Sequence, residues 1–315
     1  MGARGLGRFV AGALSCLAGG SVLAAPSAVS TFQSIGLYWS PEGGAEHVAA
    51  TVQFREPGGR WRQGLDLWFD ARDSQYRGSL VELKPGTRYE IRLALATGYA
   101  QTLTAATWSE RFRVKRTREV APGTTHLVIR PEDSGDERGY VVFTAPAGRN
   151  LIDQSGVDGN DLRKDSCVLV KQGVHHVIIR GLALRNCKRA GIMIERQSKP
   201  VLEARTHDIV IEDNEIAGWG GSGHNKPDSG MADNDAAVQC DYGSETDDDK
   251  RPDRIVIQRN VMRDPRHSAN PWLDGSGQRR HPSGPQGVTF MKCGRNHVIR
   301  YNEIYSANGN FFNDG

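Results

Sequence analysis

The stretch IVIEDNEI, Ile209–Ile216, has a near copy in IVIQRNVM (Ile255–Met262) and further relatives in HVIRYNEI (His297–Ile304) and VIIRGLAL (Val177–Leu184). A short pattern recurring along one chain marks a repeating architecture. In register, Val177, Ile209, Ile255 and His297 share one column; Asn214, Asn260 and Asn302 share another, where the first copy has Leu182. A second pattern alternates with the octets: CVLV (Cys167–Val170), GIMI (Gly191–Ile194), AVQC (Ala237–Cys240) and GVTF (Gly287–Phe290). Val168 to Val177 and Val288 to His297 are equal steps, and the longer steps differ only by insertions at fixed places. Short strands spaced too closely for crossover helices indicate a β-solenoid, opened by LVIR (Leu127–Arg130). Asparagines stacked on successive rungs can pass amide hydrogen bonds along their column.

The 315-residue chain has room for more than this solenoid. Arg4 and Arg8 precede the apolar run FVAGALSCLAGGSVLA, and small residues lie before Ala25, so residues 1–24 read as a signal peptide. That run is too short and glycine-rich for a comfortable membrane span, so a secreted or periplasmic protein without stable membrane insertion is expected. Without Arg4 and Arg8, the 40 basic residues fall to 38 against 37 acidic ones. Such a balance is not the footprint of a nucleic-acid binder. Four cysteines remain after cleavage: Cys167, Cys187, Cys240 and Cys293. Export permits disulfides, but the spacing leaves the pairing open and matches no zinc motif; a buried free thiol is preferred for Cys240.

Residues 30–117 alternate apolar and polar positions in SIGLYWS, HVAATVQF, GLDLWF, YRGSLVEL, RYEIRLAL and ERFRVK, with Pro/Gly turns between them. This predicts an antiparallel β-sandwich. LVELKPGTRYEIRLAL, with Leu83, Pro85, Thr87 and Tyr89, resembles the tyrosine corner of fibronectin type III domains, and Trp39 falls where such domains hold a core tryptophan. The resemblance implies a spacer or docking module. Trp61 and Trp68 are expected to pack inside it.

The octets and asparagine column resemble right-handed parallel β-helix proteins of the pectate-lyase-like type, over residues 120–315. That resemblance implies three strands per rung, the third being sought in the longer connections. The expected architecture is all-β: an N-terminal antiparallel β-sandwich followed by a right-handed parallel β-helix. ANGNFFNDG follows the last octet where another GIMI-type strand is due, so the β-helix is expected to be incomplete at its C-terminus.

The long insertions precede AVQC and GVTF, which places them as walls beside one sheet whose outward floor is Met193, Gln239 and Thr289. The first wall, residues 217–235, carries Trp219, His224, Lys226, Asp233 and Asp235; the second, residues 263–286, carries Trp272, Arg279 and His281. Aromatic rings among charges suit a sugar polymer. The family resemblance implies a lyase that removes a proton beside a uronate carboxylate, which needs a base and a cation facing the acid. His224, Lys226 and His281 are the base candidates. Trp219, Gln239, Trp272 and Arg279 are assigned to substrate binding, and Asp233, Asp235 and Asp241 to a Ca²⁺ ion. A glycoside hydrolase on the same fold is the alternative. Against it, the Asp-Asp pair, Gly-His-Gly and Arg-x-Lys set of β-helical polygalacturonases is not found. A uronate epimerase and a non-catalytic surface binder are further alternatives. A monomer with a polysaccharide partner is expected.

Overall fold

The computed structural model describes residues 25–145, 151–157, 166–195, 205–220, 235–241, 250–266 and 285–307. The chain divides into two compact units, ending at Glu110 and beginning at Arg111.

The first unit holds β1 (Ser27–Ser30), β2 (Ile35–Trp39), β3 (Ala50–Arg55), β4 (Arg62–Gln63), β5 (Trp68–Asp70), β6 (Gln75–Leu80), β7 (Arg88–Leu95) and β8 (Ala100–Ala106). They form two antiparallel sheets, β1-β2-β6-β5 and β4-β3-β7-β8. Alternation decides what is buried. In β7 Tyr89, Ile91, Leu93 and Leu95 turn inward to meet Ile35, Leu37 and Trp39 of β2 in one core cluster. The Lys84 N–H donates to the Tyr89 hydroxyl at 2.9 Å, which is the bond a tyrosine corner requires. Trp39 is buried, and its indole N–H donates to the Gln101 side-chain oxygen at 2.5 Å. Trp61 and Trp68 correct the expectation of core packing. Trp61 is 40% exposed beneath the Arg55 guanidinium, and Trp68 is 63% exposed. In GLDLWF the buried member is Leu67, which puts the neighbouring Trp68 on the opposite face.

The second unit comprises β9 (Val114–Glu119), β10 (Leu127–Ile129), β11 (Tyr140–Thr144), β12 (Leu151–Asp153), β13 (Ser166–Val170), β14 (His175–Arg180), β15 (Ala183–Arg185), β16 (Ala190–Ile194), β17 (His207–Glu212), β18 (Glu215–Ala217), β19 (Ala236–Asp241), β20 (Asp253–Gln258), β21 (Val261–Arg263), β22 (Gln286–Met291), β23 (Val298–Arg300) and β24 (Glu303–Tyr305). From β10 onward every third strand pairs in parallel, and β9 adds to the edge at β11, giving sheets β10-β13-β16-β19-β22, β9-β11-β14-β17-β20-β23 and β12-β15-β18-β21-β24. This is a parallel β-helix. The strand expected from ERFRVK does not close the sandwich: β9 runs parallel to β11 and starts the second unit. Alternating apolarity is common to both architectures, so it could not separate them.

The octets are not single strands either. Ile209–Glu212 ends β17, Asp213–Asn214 turns a corner, and Glu215 opens β18. The third strand therefore lies at the end of each octet rather than in the long connections. A left-handed residue makes the corner: φ is +68° at Gly181, +56° at Asp213, +55° at Arg259 and +57° at Tyr301, one above another. The next residue is the asparagine. Leu182, Asn214 and Asn260 each donate their backbone N–H to the Oδ1 of the asparagine one rung on, at 3.0, 3.1 and 2.9 Å. The Nδ2 groups of Asn214, Asn260 and Asn302 donate to the carbonyls of Ile179, Ile211 and Ile257, each at 2.9 Å. These side chains satisfy backbone groups that the corner removes from the ladders, groups that would otherwise cost about 1–3 kcal/mol each.

Within the coil, Val177, Ile179, Ile209, Ile211, Ile255 and Ile257 from one sheet pack against Val168, Ile192, Val238 and the other core-facing positions. Both cysteine pairs are closed there, Cys167–Cys187 and Cys240–Cys293, with Cα separations of 5.3 and 5.7 Å. The free thiol expected at Cys240 is thereby corrected. Adjacent rungs bring Cys240 and Cys293 within bonding reach despite 53 residues of separation. Two disulfides fit an oxidising compartment. Among the described residues no helix is long and apolar enough to cross a membrane. The signal-peptide reading of residues 1–24 lies outside the described residues.

Candidate functional site

The sheet β10-β13-β16-β19-β22 carries the outward column expected as a floor. Leu169, Met193, Gln239 and Thr289 are register partners from rung to rung. Their neighbours Val168, Ile192 and Val238 on one side, and Val170, Ile194 and Cys240 on the other, are buried in the core, so alternation turns the column away from it. The column becomes polar at β19 and β22. The preceding rung reaches β16 through residues 186–189 only, whereas residues 218–235 lead into β19 and 264–285 into β22. Gln239 and Thr289 are only 2% and 7% exposed, and among the described residues the buried Gln239 side-chain oxygen meets no hydrogen-bond partner.

Part of the expected site can be located. His224, Lys226, Asp233, Trp272, Arg279 and His281 lie outside the described residues, and Asp241 ends β19 with its side chain likewise outside them. Trp219 departs from expectation. It is fully buried in the hydrophobic cluster of the coil rather than displayed for ring stacking. The Gly218 turn (φ +71°) sets its direction, and its carbonyl accepts the Arg266 N–H at 3.0 Å. Asp235, expected as a calcium ligand, is also fully buried, with the Arg189 guanidinium 3.5 Å from its carboxylate. A guanidinium there already supplies the positive charge that a calcium ion was expected to bring.

A second constellation escaped the sequence reading. His175 and His207 begin β14 and β17 as register partners, their rings stacked with centroids 5.0 Å apart and 5° between planes. His176 has φ +52°, which breaks the strand alternation and brings its Nδ1 to 3.2 Å from the His175 Nδ1. Asp208, φ +53°, occupies the equivalent place one rung on. Its carboxylate accepts the His207 Nδ1–H at 2.8 Å and the Tyr140 hydroxyl at 3.2 Å, and lies 3.3 Å from the Arg254 Nε. Burial first, then the neighbouring imidazoles, hold His175 below the ordinary histidine range; burial does the same to His176. Burial would raise Asp208, but its His207 bond and Arg254 outweigh that and hold it below the usual carboxylate range. The signal was present: His175 and His207 both stand two places before the first residue of an octet.

The comparisons with known proteins are sparse. No family model matches the sequence, and no curated protein matches it. Among solved structures, a crystal structure of a pectate lyase from Pectobacterium carotovorum aligns over 89% of this chain and 79% of its own, at 11% identity and a TM-score of 0.21. A likeness at that level leaves the fold resting on the strand pairing itself.

Proposed function

We propose that this is an exported carbohydrate-active protein that cleaves a uronate-containing polysaccharide by β-elimination. The observation that carries the reading is the Gln239–Thr289 step. The outward column turns polar at the two strands that the long connections precede. In this reading Gln239 and Thr289 lie beneath those connections, whose residues face a repeated hydroxyl-bearing ligand and supply the chemistry. In the proposed step His224, Lys226 or His281 removes the proton beside the carboxylate. The electron pair forms a carbon–carbon double bond, the bond to the leaving sugar oxygen breaks, and that oxygen takes up a proton. Arg279 pairs with the carboxylate bidentately, Trp272 stacks on a ring, and Asp233 with Asp241 offers oxygen ligands to Ca²⁺. The first unit, with its tyrosine corner, acts in this reading as a fibronectin type III-like spacer.

The test is incubation of the mature protein with separate uronate-containing and neutral polysaccharides, following ultraviolet absorbance and reducing ends together. Elimination gives both, on uronate polymers alone. Reducing ends without absorbance would replace the lyase by a hydrolase, and neither would leave a binder. His224→Ala and His281→Ala should abolish turnover while leaving the thermal transition in place. Full activity in both would remove the site from these connections.

A further inference from the structure

We infer that His175, His176 and His207 form a binding site for one borderline divalent transition metal ion of the zinc class, on a sheet other than the one carrying Gln239. The inference is independent of the polysaccharide reading. The three imidazoles each offer a ring nitrogen, and all of these nitrogens lie within 4.8 Å of one another. In a tetrahedral zinc site, bonds of about 2.0–2.1 Å place neighbouring nitrogens about 3.3 Å apart. His175 and His176 already stand at 3.2 Å through their Nδ1 atoms.

Two architectural facts assemble the ligands. Parallel register stacks His175 directly on His207, and the left-handed backbone at His176 swings a consecutive residue into reach, which regular strand alternation forbids. A third feature goes beyond packing. Asp208 takes the Nδ1–H of His207, which leaves Nε2 as the atom that can ligate, and a carboxylate behind a ligating imidazole orients it. Tyr140 and Arg254 hold Asp208 in turn. Imidazole nitrogen suits zinc, copper, nickel and cobalt, while calcium and magnesium select oxygen. The four cysteines that could compete as soft ligands are bound in disulfides. All three histidines are half-buried rather than sealed, and three protein ligands leave a fourth tetrahedral position to water.

The experiment uses the mature protein stripped with a chelator, titrated with ZnCl₂ against a chromophoric chelator, with Co²⁺ absorption as a second readout. One equivalent should bind with a dissociation constant near or below about 1 μM, and Co²⁺ should give the intense visible bands of a tetrahedral site. His175→Gln and His207→Gln should each weaken zinc at least about 100-fold, Asp208→Asn about 10–100-fold, and the exposed His47→Gln not at all. Circular dichroism of each variant separates loss of ligand from loss of fold, and His176→Gln stands in if a strand variant does not fold. No stoichiometric zinc at about 100 μM, or unchanged affinity in the folded His175 and His207 variants, overturns the inference.

Discussion

Two polar columns border one sheet of the β-helix, the asparagines just beyond the ends of β17, β20 and β23 and the histidines at the starts of β14 and β17, and they are built on opposite principles. At the strand ends, Asn214, Asn260 and Asn302 have their donors and acceptors matched to backbone groups and to one another. At the strand starts, among the described residues, His175, His176 and His207 gather ring nitrogens satisfied by one Nδ1–Nδ1 approach and by a carboxylate behind the third ring. Both depend on the parallel register that lays equivalent residues on one another, and both sit beside a column of left-handed residues. A stacked position becomes structural when its side chains match their surroundings in hydrogen-bonding capacity. It becomes a ligand site when they do not.

The largest expected effect falls on the matched column. Asn260→Ala deprives Asn214 of an acceptor and the Ile211 and Gln258 carbonyls of a donor, and should cost about 4 kcal/mol in chemical denaturation. An effect below about 1 kcal/mol would erase the distinction between the columns. Next comes metal linkage. Zinc at about one hundred times its dissociation constant should stabilise the wild type by about 2.7 kcal/mol and His207→Gln by almost nothing. Asn302→Ala comes third at about 1 kcal/mol: it deprives Asn260 of an acceptor and the Ile257 carbonyl of a donor, but Asn302 is only half-buried, so water can replace much of what is lost. Without metal, His175→Gln should change stability by no more than about 0.5 kcal/mol.

A half-buried histidine in a core column sharpens the contrast through pH. His297 aligns with Val177, Ile209 and Ile255; its Nδ1 accepts the Ile255 N–H at 3.2 Å and its Nε2 lies 3.0 Å from the Cys293 carbonyl. The neutral Nε2–H tautomer satisfies both. Burial pushes its pKa below the ordinary value, against the opposite pull of the Cys293 carbonyl. The unfolded chain therefore holds the extra proton more tightly. The contribution of His297 to stability is full above the unfolded imidazole pKa of about 6.5 and is lost as pH falls through it toward the lower folded value. His297→Val should flatten the stability profile between about pH 7 and pH 5. A profile identical to wild type would show that this ring is not the group responsible.

The sequence made the coil legible because its hydrophobic columns and its asparagines are chemically uniform. Corners stayed hidden for the opposite reason. Gly181, Asp213, Arg259 and Tyr301 share a backbone conformation but no side-chain chemistry. Disulfide pairing was hidden because it joins neighbours in space across rungs, as Cys240 and Cys293 do. The same octet register that aligns the asparagines also aligns His175 with His207, but His176 joins them only through a left-handed backbone that no residue pattern announces. Trp219 shows the reverse error. A tryptophan among glycines and charges looked like a displayed ring, yet the turn at Gly218 folds it into the core.

Placement of either site rests on rungs tied to one another through side-chain amides, and amide hydrogen exchange reads those ties directly. The backbone N–H groups of Leu182, Asn214 and Asn260, each bonded to an asparagine one rung away, should exchange as slowly as the central strand amides. In Asn260→Ala the Asn214 amide should lose that protection selectively. Exchange of these three amides at the rate of exposed turns in the wild-type protein would contradict the stacked coil.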